Sequence, residues 1–299
     1  MATKAQQRRF LSNADEHQRE IVKIVQQLSH RYDISRVWSD WIEMCALSIA
    51  NAVDKTRFDV REKRYLEIVK KYQRDEVDQL VRAFGHLVQC WEIRVDTGDY
   101  GDVLGATFMM LDMGNDRSGQ FFTPYEVSHL MSRMLGLGQD IAKNLEDSSF
   151  IRLMEPACGA GGMIIASAHA MRDAGFNYQQ QMHVTAIDID QRCVHMTYLQ
   201  LALLHVPAVV VHGNALSCEE WDHWYTPAHV LGHWQFRLQV RDAIQATATS
   251  NGKEADGNGH AVQAEATVIA AKPSSASVLS ASGQRAARAA ATAGQMQLF

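Results

Sequence analysis

Three short clusters of glycine, carboxylate and amide residues stand in the middle of the chain, each where an apolar run stops. The first is Glu155-Pro156-Ala157-Cys158-Gly159-Ala160-Gly161-Gly162. Glycines at such a turn let the backbone pass close to a ligand, because no Cβ stands in the way. An acidic side chain at a strand end can receive an ammonium group. Neither a G-x-G-x-x-G nor a G-K-S/T sequence is present, and without the phosphate-binding lysine a nucleoside triphosphate is disfavoured. The chemistry indicated is recognition of an amine rather than of a run of phosphates. The second cluster is Ala186-Ile187-Asp188-Ile189-Asp190. A carboxylate at the next strand tip suits the two hydroxyls of a ribose, which is the role assigned to Asp188. Asp190 is assigned to capping the helix that follows. The third cluster, Gly213-Asn214-Ala215-Leu216, presents an amide with both a donor and an acceptor, suited to the edge of an adenine base. Each cluster alone is weak; the specificity comes from their order at the ends of successive strands.

The elements that must hold these residues follow from periodicity. Residues 150–155, 183–188 and 208–212 read as strands, alternating with helices over 163–174 and 191–205, the second stopped by Pro207. Such alternation predicts parallel βαβ units with all three turns along one edge of a sheet. Upstream, Gly119-Gln120-Phe121-Phe122-Thr123-Pro124 precedes a helix. Thr123 and Glu126 form a capping-box pattern with Pro124 at the first helical position, and Val127, Leu130, Met131, Met134 and Leu135 form the expected buried stripe. The aromatic residues and the helix N-terminus there are placed to cover a ligand and bind its carboxylate. Between Leu216 and residue 245 there is room for about one more strand, expected near 230–240.

Residues 15–92 read as helices. Val37, Trp38, Trp41, Ile42, Cys45, Ile49 and Val53 recur at helical spacing, as do Val77, Leu80, Val81, Phe84, Leu87, Val88 and Trp91. Charges such as Arg61, Glu62, Lys63 and Arg64 fill the other faces. From residue 245 the sequence turns to Ala, Ser, Thr, Gly and Gln and cannot bury enough surface to offset its ordering entropy. The expected organisation is a helical domain over 1–100, a ligand-binding α/β domain over 101–244 and a disordered tail over 245–299.

Composition narrows the class. The net charge is −5, so coating nucleic acid by charge alone is disfavoured, although a local basic patch is not excluded. No apolar run is long enough for a membrane span, and the N-terminus lacks the apolar segment of a signal peptide. The five cysteines include no C-x-x-C pair, which suggests neither a disulfide framework nor a zinc site and fits a cytoplasmic protein. His223, His229 and His233 with Cys218 and Asp222 match no standard zinc spacing, so no metal is expected. Trp221, Trp224 and Tyr225 are read as core packing, with stacking on an extruded base as the alternative.

Taken together, GQFFTP, EPACGAGG, AIDID and HGNAL resemble the cofactor motifs of DNA N6-adenine methyltransferases, over about residues 100–216. The motif order, the helical N-terminal part and Asp102-Val103-Leu104-Gly105 are similar to the modification subunits of type I restriction-modification systems. The resemblance implies a Rossmann-like α/β methyltransferase core with a shortened sheet, S-adenosylmethionine as cofactor, and DNA as substrate. It places Phe122, Thr123 and Pro124 near the methionine carboxylate, and Glu155, Pro156, Ala157, Cys158, Gly159 and Gly161 around the methionine. Asp188 with Ile189 falls at the ribose, and Asn214 with Ala215 at the adenine, where Asn214 is expected to accept from the amine. That family also carries an Asn/Asp/Ser-Pro-Pro-Tyr/Phe motif that holds the target adenine. The five prolines here (124, 156, 207, 227 and 273) include no adjacent pair, so that motif is missing, and no catalytic residue is assigned. Two expectations follow: a DNA adenine methyltransferase of a bacterium, phage or mobile element, or a DNA- or replisome-associated regulator that binds the cofactor without transferring methyl. Finally, Gln295-Met296-Gln297-Leu298-Phe299 resembles the Gln-x-x-Leu-Phe peptide by which bacterial proteins bind the replication sliding clamp. A Leu-Phe pair can fill an apolar pocket while Gln295 bonds at its rim.

Overall fold

The computed structural model describes residues 14–111, 122–135, 141–146 and 149–253. The tail peptide Gln295, Leu298 and Phe299, and Gly119, Gln120 and Phe121, lie outside them.

The chain opens with helices α1 (Glu16–Leu28), α2 (Ile34–Val53), α3 (Phe58–Val69) and α4 (Arg74–Thr97). Asp15 and Asp33 cap α1 and α2 by accepting from Gln18 N and Arg36 N, and Gly98 ends α4 in the left-handed conformation (φ 78°). The predicted stripe of α2 is the buried one: Val37, Trp38, Trp41 and Ile42 are at most 1% exposed. Burial of each large apolar side chain of this kind contributes roughly 1.5–3 kcal/mol. Arg61 departs from expectation. It is buried rather than solvated, paired with Asp54 at 2.8 Å and stacked over the Trp224 ring at 4.8 Å. A planar guanidinium suits both contacts at once.

Helices α5 (Val103–Met110), α6 (Tyr125–Met134) and α7 (Ile141–Glu146) lead to the sheet. Strands β1 (Ile151–Glu155), β2 (Met182–Asp188) and β3 (Ala208–Asn214) are parallel, as predicted, and β4 (Glu219–Tyr225) runs antiparallel to β3, in the order β1-β2-β3-β4. Helices α8 (Gly162–Asp173) and α10 (Gln191–Leu203) make the crossovers, with the short α9 (Tyr178–Gln181) before β2. One buried apolar cluster extends from Ile21 in α1 to Trp224 in β4. No described helix is long and apolar enough to cross a membrane.

Other sequence expectations are corrected as well. In α6 the helix begins at Tyr125 with Pro124 as its N-cap and no side-chain cap bond, so Thr123 does not complete a capping box. Its apolar stripe faces outward, with Val127, Leu130, Met131, Met134 and Leu135 between 44% and 78% exposed. The buried face is instead Ser128 and Ser132, whose small side chains let α6 approach α8; Ser132 Oγ lies 3.2 Å from Ser167 Oγ. The last correction concerns residues 230–240, which form no strand. They belong to α11 (Pro227–Leu231) and α12 (Trp234–Lys253). Thr226 caps α11 with Pro227 in its first turn, and α12 lays Arg237 and Arg241 over the Phe150 ring at 5.2 and 4.8 Å. Residues 245–253, expected in the tail, continue α12.

Candidate functional site

The predicted tips of β1 and β2 converge through hydrogen bonds, whereas Asn214 at the tip of β3 bonds within its own turn. After β1 the chain turns, and Cys158 N donates to Ile187 O at 2.9 Å, stitching the glycine turn to the end of β2. Asp188 completes the clasp: Oδ2 accepts from Gly159 N and Oδ1 from Asp190 N, each at 2.8 Å. Gly159 holds φ 55°, and a Cβ there would come within 3.0 Å of Phe122 Cδ1. The turn therefore needs glycine both for its left-handed backbone and for the ring lying on it. Gly161, at φ 94°, starts α8, and Thr197 Oγ1 donates to Gly159 O at 2.9 Å. Asp190 caps α10 as predicted, accepting from Arg192 N at 2.9 Å.

Phe122, Thr123, Glu155, Ala157, Cys158 and Gly159 border one cavity of about 180 Å³, together with Asp102, Ser128 and Met163. Sequence reasoning did not single out Asp102 as a site residue, nor Ser128 or Met163. Burial raises the Glu155 carboxyl above its ordinary range, the Ala157 N–H bond opposes this, and the nearby Asp188 charge adds to it. Burial likewise raises Asp102, against hydrogen bonds from Gln200 and Gly105. Asp188 is raised by burial against its backbone donors. Among the described residues, no Lys or Arg forms an ion pair with Asp102, Glu155 or Asp188. The Ser128 hydroxyl, on a residue 1% exposed, has no hydrogen-bond partner. Burial pushes the Cys158 thiol far up, so this cysteine is an uncharged wall rather than a nucleophile.

Asp102 is tied into the fold by one side chain. Gln200 Nε2 donates to Asp102 Oδ1 (2.8 Å) and to Ala160 O (2.6 Å), while its Oε1 accepts from Leu104 N (3.1 Å). Pro124 borders a neighbouring cleft of about 850 Å³ that shares Phe122, Thr123 and Asp102 with the smaller cavity.

Asn214 ends β3, but its Oδ1 already accepts from Leu216 N (2.9 Å) and Ser217 N (3.4 Å), closing the turn into β4. Its acceptor lone pairs are thus engaged, and what it offers outward is the amide as a donor. Ile189 is 62% exposed beside Asp188, and its carbonyl accepts from His212 Nε2 at 3.2 Å. Among the aromatics of residues 221–234, Trp224 is 4% exposed and packs against His195 and Tyr198. It belongs to the core. His229 turns inward to His183 at 2.9 Å, and Asp222 pairs with Arg57.

Residues 100–237 match the N-6 DNA methylase family. That family implies S-adenosylmethionine as cofactor. The methylase-type region begins at the residues just before α5 and ends within α12, so it includes the whole sheet. No curated protein sequence matches the chain. Among solved structures, a Listeria monocytogenes chain described as a class I S-adenosylmethionine-dependent methyltransferase shares 11% identity and a TM-score of 0.37. The likeness covers 68% of the present chain and 55% of that one, so this chain spans about half the length of its structural neighbour.

The cavity, which Asp188 and Asn214 do not border, suits the methionine end of the cofactor the family implies. Two raised carboxylates without a cation among the described residues, beside an orphaned hydroxyl, form a donor set that accepts an ammonium and favours a nearby sulfonium.

Proposed function

We propose that the chain binds S-adenosylmethionine at the tips of β1, β2 and β3 and serves methylation of adenine N6 in DNA. The observation that carries this reading is the pairing of Glu155 and Asp102 around one cavity, both raised by burial and neither offset by a cation among the described residues. When bound, the cofactor supplies an electrophilic methyl group. Glu155 and Asp102 receive the methionine ammonium, and the Ser128 hydroxyl finds its missing partner there. Phe122 lies over Gly159 and excludes water from the methionine side, while the N-terminus of α6, with Thr123 and Pro124 before it, faces the carboxylate. Asp188 retains lone pairs beyond its two backbone bonds and takes the ribose hydroxyls. Asn214 donates its amide to an adenine ring nitrogen rather than accepting from the adenine amine.

A second reading is favoured by a specific observation: the chain lacks the Pro-Pro aromatic motif that would hold a flipped base. In that reading the cofactor is bound and sensed, and the protein regulates events at DNA. The Gln295-Leu298-Phe299 peptide fits both readings as a sliding-clamp contact. Titration calorimetry with S-adenosylmethionine tests the shared part; absence of binding overturns both. Incorporation of labelled methyl into DNA then favours the enzyme, and binding without incorporation favours the regulator.

A further inference from the structure

Helices α6 and α8 bring together a second set of polar groups, on the side of the larger cleft and outside the cofactor cavity. His129 of α6 and His169 and Asp173 of α8 each offer one ligand atom, and all three atoms lie within 4.8 Å of one another. His169 and Asp173 are four residues apart on one helix, so they share a face one turn apart. His129 Nε2 stands 3.7 Å from Asp173 Oδ2, and His169 Nε2 stands 3.5 Å from Asp173 Oδ1. These separations are long for hydrogen bonds. They run to the two different oxygens of Asp173; taken with one ligand atom per residue, the three atoms lie within 4.8 Å of one another, and a small side-chain adjustment brings them to the roughly 3.3–3.6 Å edges that metal–ligand distances of about 2.0–2.2 Å give in a tetrahedral site.

Two further observations point to a missing ligand. His129 Nε2 is buried and has no hydrogen-bond partner among the described residues, an unfavourable arrangement unless something fills it. Tyr125 Oη lies 2.9 Å from His169 Nδ1. A proton on Nδ1 donated to that hydroxyl leaves the lone pair of Nε2 facing Asp173, the outer arrangement that fixes the tautomer of a ligating histidine. The two imidazoles stack at 4.2 Å with an 8° angle between planes, so capture requires one ring to turn about χ2. That torsion is broad, and the ring that turns is His129, since Tyr125 holds His169.

We propose that His129, His169 and Asp173 bind a divalent metal of the zinc class, pinning α6 to α8. Two imidazoles and one carboxylate select zinc or cobalt over calcium or magnesium, which prefer all-oxygen shells. Because α6 follows Thr123 and Pro124 and α8 follows the glycine turn, the ion braces both entrances to the neighbouring cavity. Its binding does not depend on the cofactor reading.

The test is titration of the purified full-length chain with Co²⁺, followed by visible d–d absorption, then displacement by Zn²⁺. One cobalt per chain with a tetrahedral spectrum is expected. Asp173→Asn, at a half-exposed position that leaves folding intact, weakens binding at least tenfold. His129→Ala abolishes the band, and Cys218→Ser, at an exposed thiol elsewhere, leaves it unchanged. Absence of a cobalt band overturns the proposal. So does a band that survives Asp173→Asn and His129→Ala, or one lost only with Cys218→Ser.

Discussion

Replacing Asp102 with asparagine separates the charge of this side chain from its hydrogen bonds. Oδ1 accepts both Gly105 N and Gln200 Nε2 at 2.8 Å, whereas Oδ2 accepts no hydrogen bond from the described residues. Asparagine retains a carbonyl for both donors and places an amide where Oδ2 borders the cavity. Two opposite effects follow. A bound ammonium loses a charged acceptor, and hydrogen bonds to charged groups contribute about 1.5–3 kcal/mol, so S-adenosylmethionine affinity falls roughly 10- to 150-fold. The fold itself is relieved. Burial holds the Asp102 carboxyl above its ordinary range, so between the unfolded and folded values the folded chain binds the extra proton. The contribution of this group to stability therefore declines as pH rises through that window and stays unfavourable above it. In Asp102→Asn the decline disappears, and the melting temperature at pH 7 is equal to or above that of the parent. Calorimetry with the cofactor and thermal melts from pH 4 to 8 measure both halves. Unchanged affinity in a folded variant removes Asp102 from the cation site; a lower melting temperature at pH 7 refutes the burial argument.

Other expectations are simpler. Gly159→Ala forces a side chain into a left-handed backbone and against Phe122, costing about 1–3 kcal/mol by denaturant titration and weakening the cofactor with it. Arg61→Ala leaves Asp54 buried without its partner and destabilises by about 3–5 kcal/mol, read from the shift in urea midpoint. Cofactor affinity falls as pH drops, beginning above the ordinary carboxylate range because Glu155 and Asp188 are both raised and must be ionised to receive a cation and hydroxyls; calorimetry from pH 4 to 8 would show a flat profile if they play no part. Trp224→Ala lowers stability by about 3–5 kcal/mol through its lost core contacts, and a variant of parental stability would contradict its burial.

The parallel strands and the helices between them were legible because short, largely apolar runs are punctuated by glycine and by Pro207. The order of Glu155, Asp188 and Asn214 was legible for the same reason, since each sits at a strand end. Residues that reach the site from elsewhere were harder to read. Asp102 is brought in by Gln200, nearly a hundred positions away, and no local spacing signals that bond. Strand β4 was hidden because Glu219, Glu220, Asp222 and His223 interrupt its apolar pattern, as suits an edge strand that must not pair further. In α6 the apolar period was read correctly as helical but assigned to the wrong side. Close approach to α8 required small residues, and serines supplied it. The Thr123 capping pattern failed because Pro124 is itself extended (ψ 138°) and takes the N-cap position, so the helix starts one residue later than the pattern predicts and its cap has no side-chain acceptor.

The span of Gln200 has a mechanical consequence. One amide grips Leu104 at the start of α5 and Ala160 in the glycine turn, while Gln18 in α1 donates to Val103 O at 3.2 Å and to Thr107 Oγ1 at 3.0 Å. The front helices and the turn are therefore links of a single tether. A substitution at Gln200 would therefore loosen Asp102, the start of α5 and the glycine turn in a single step.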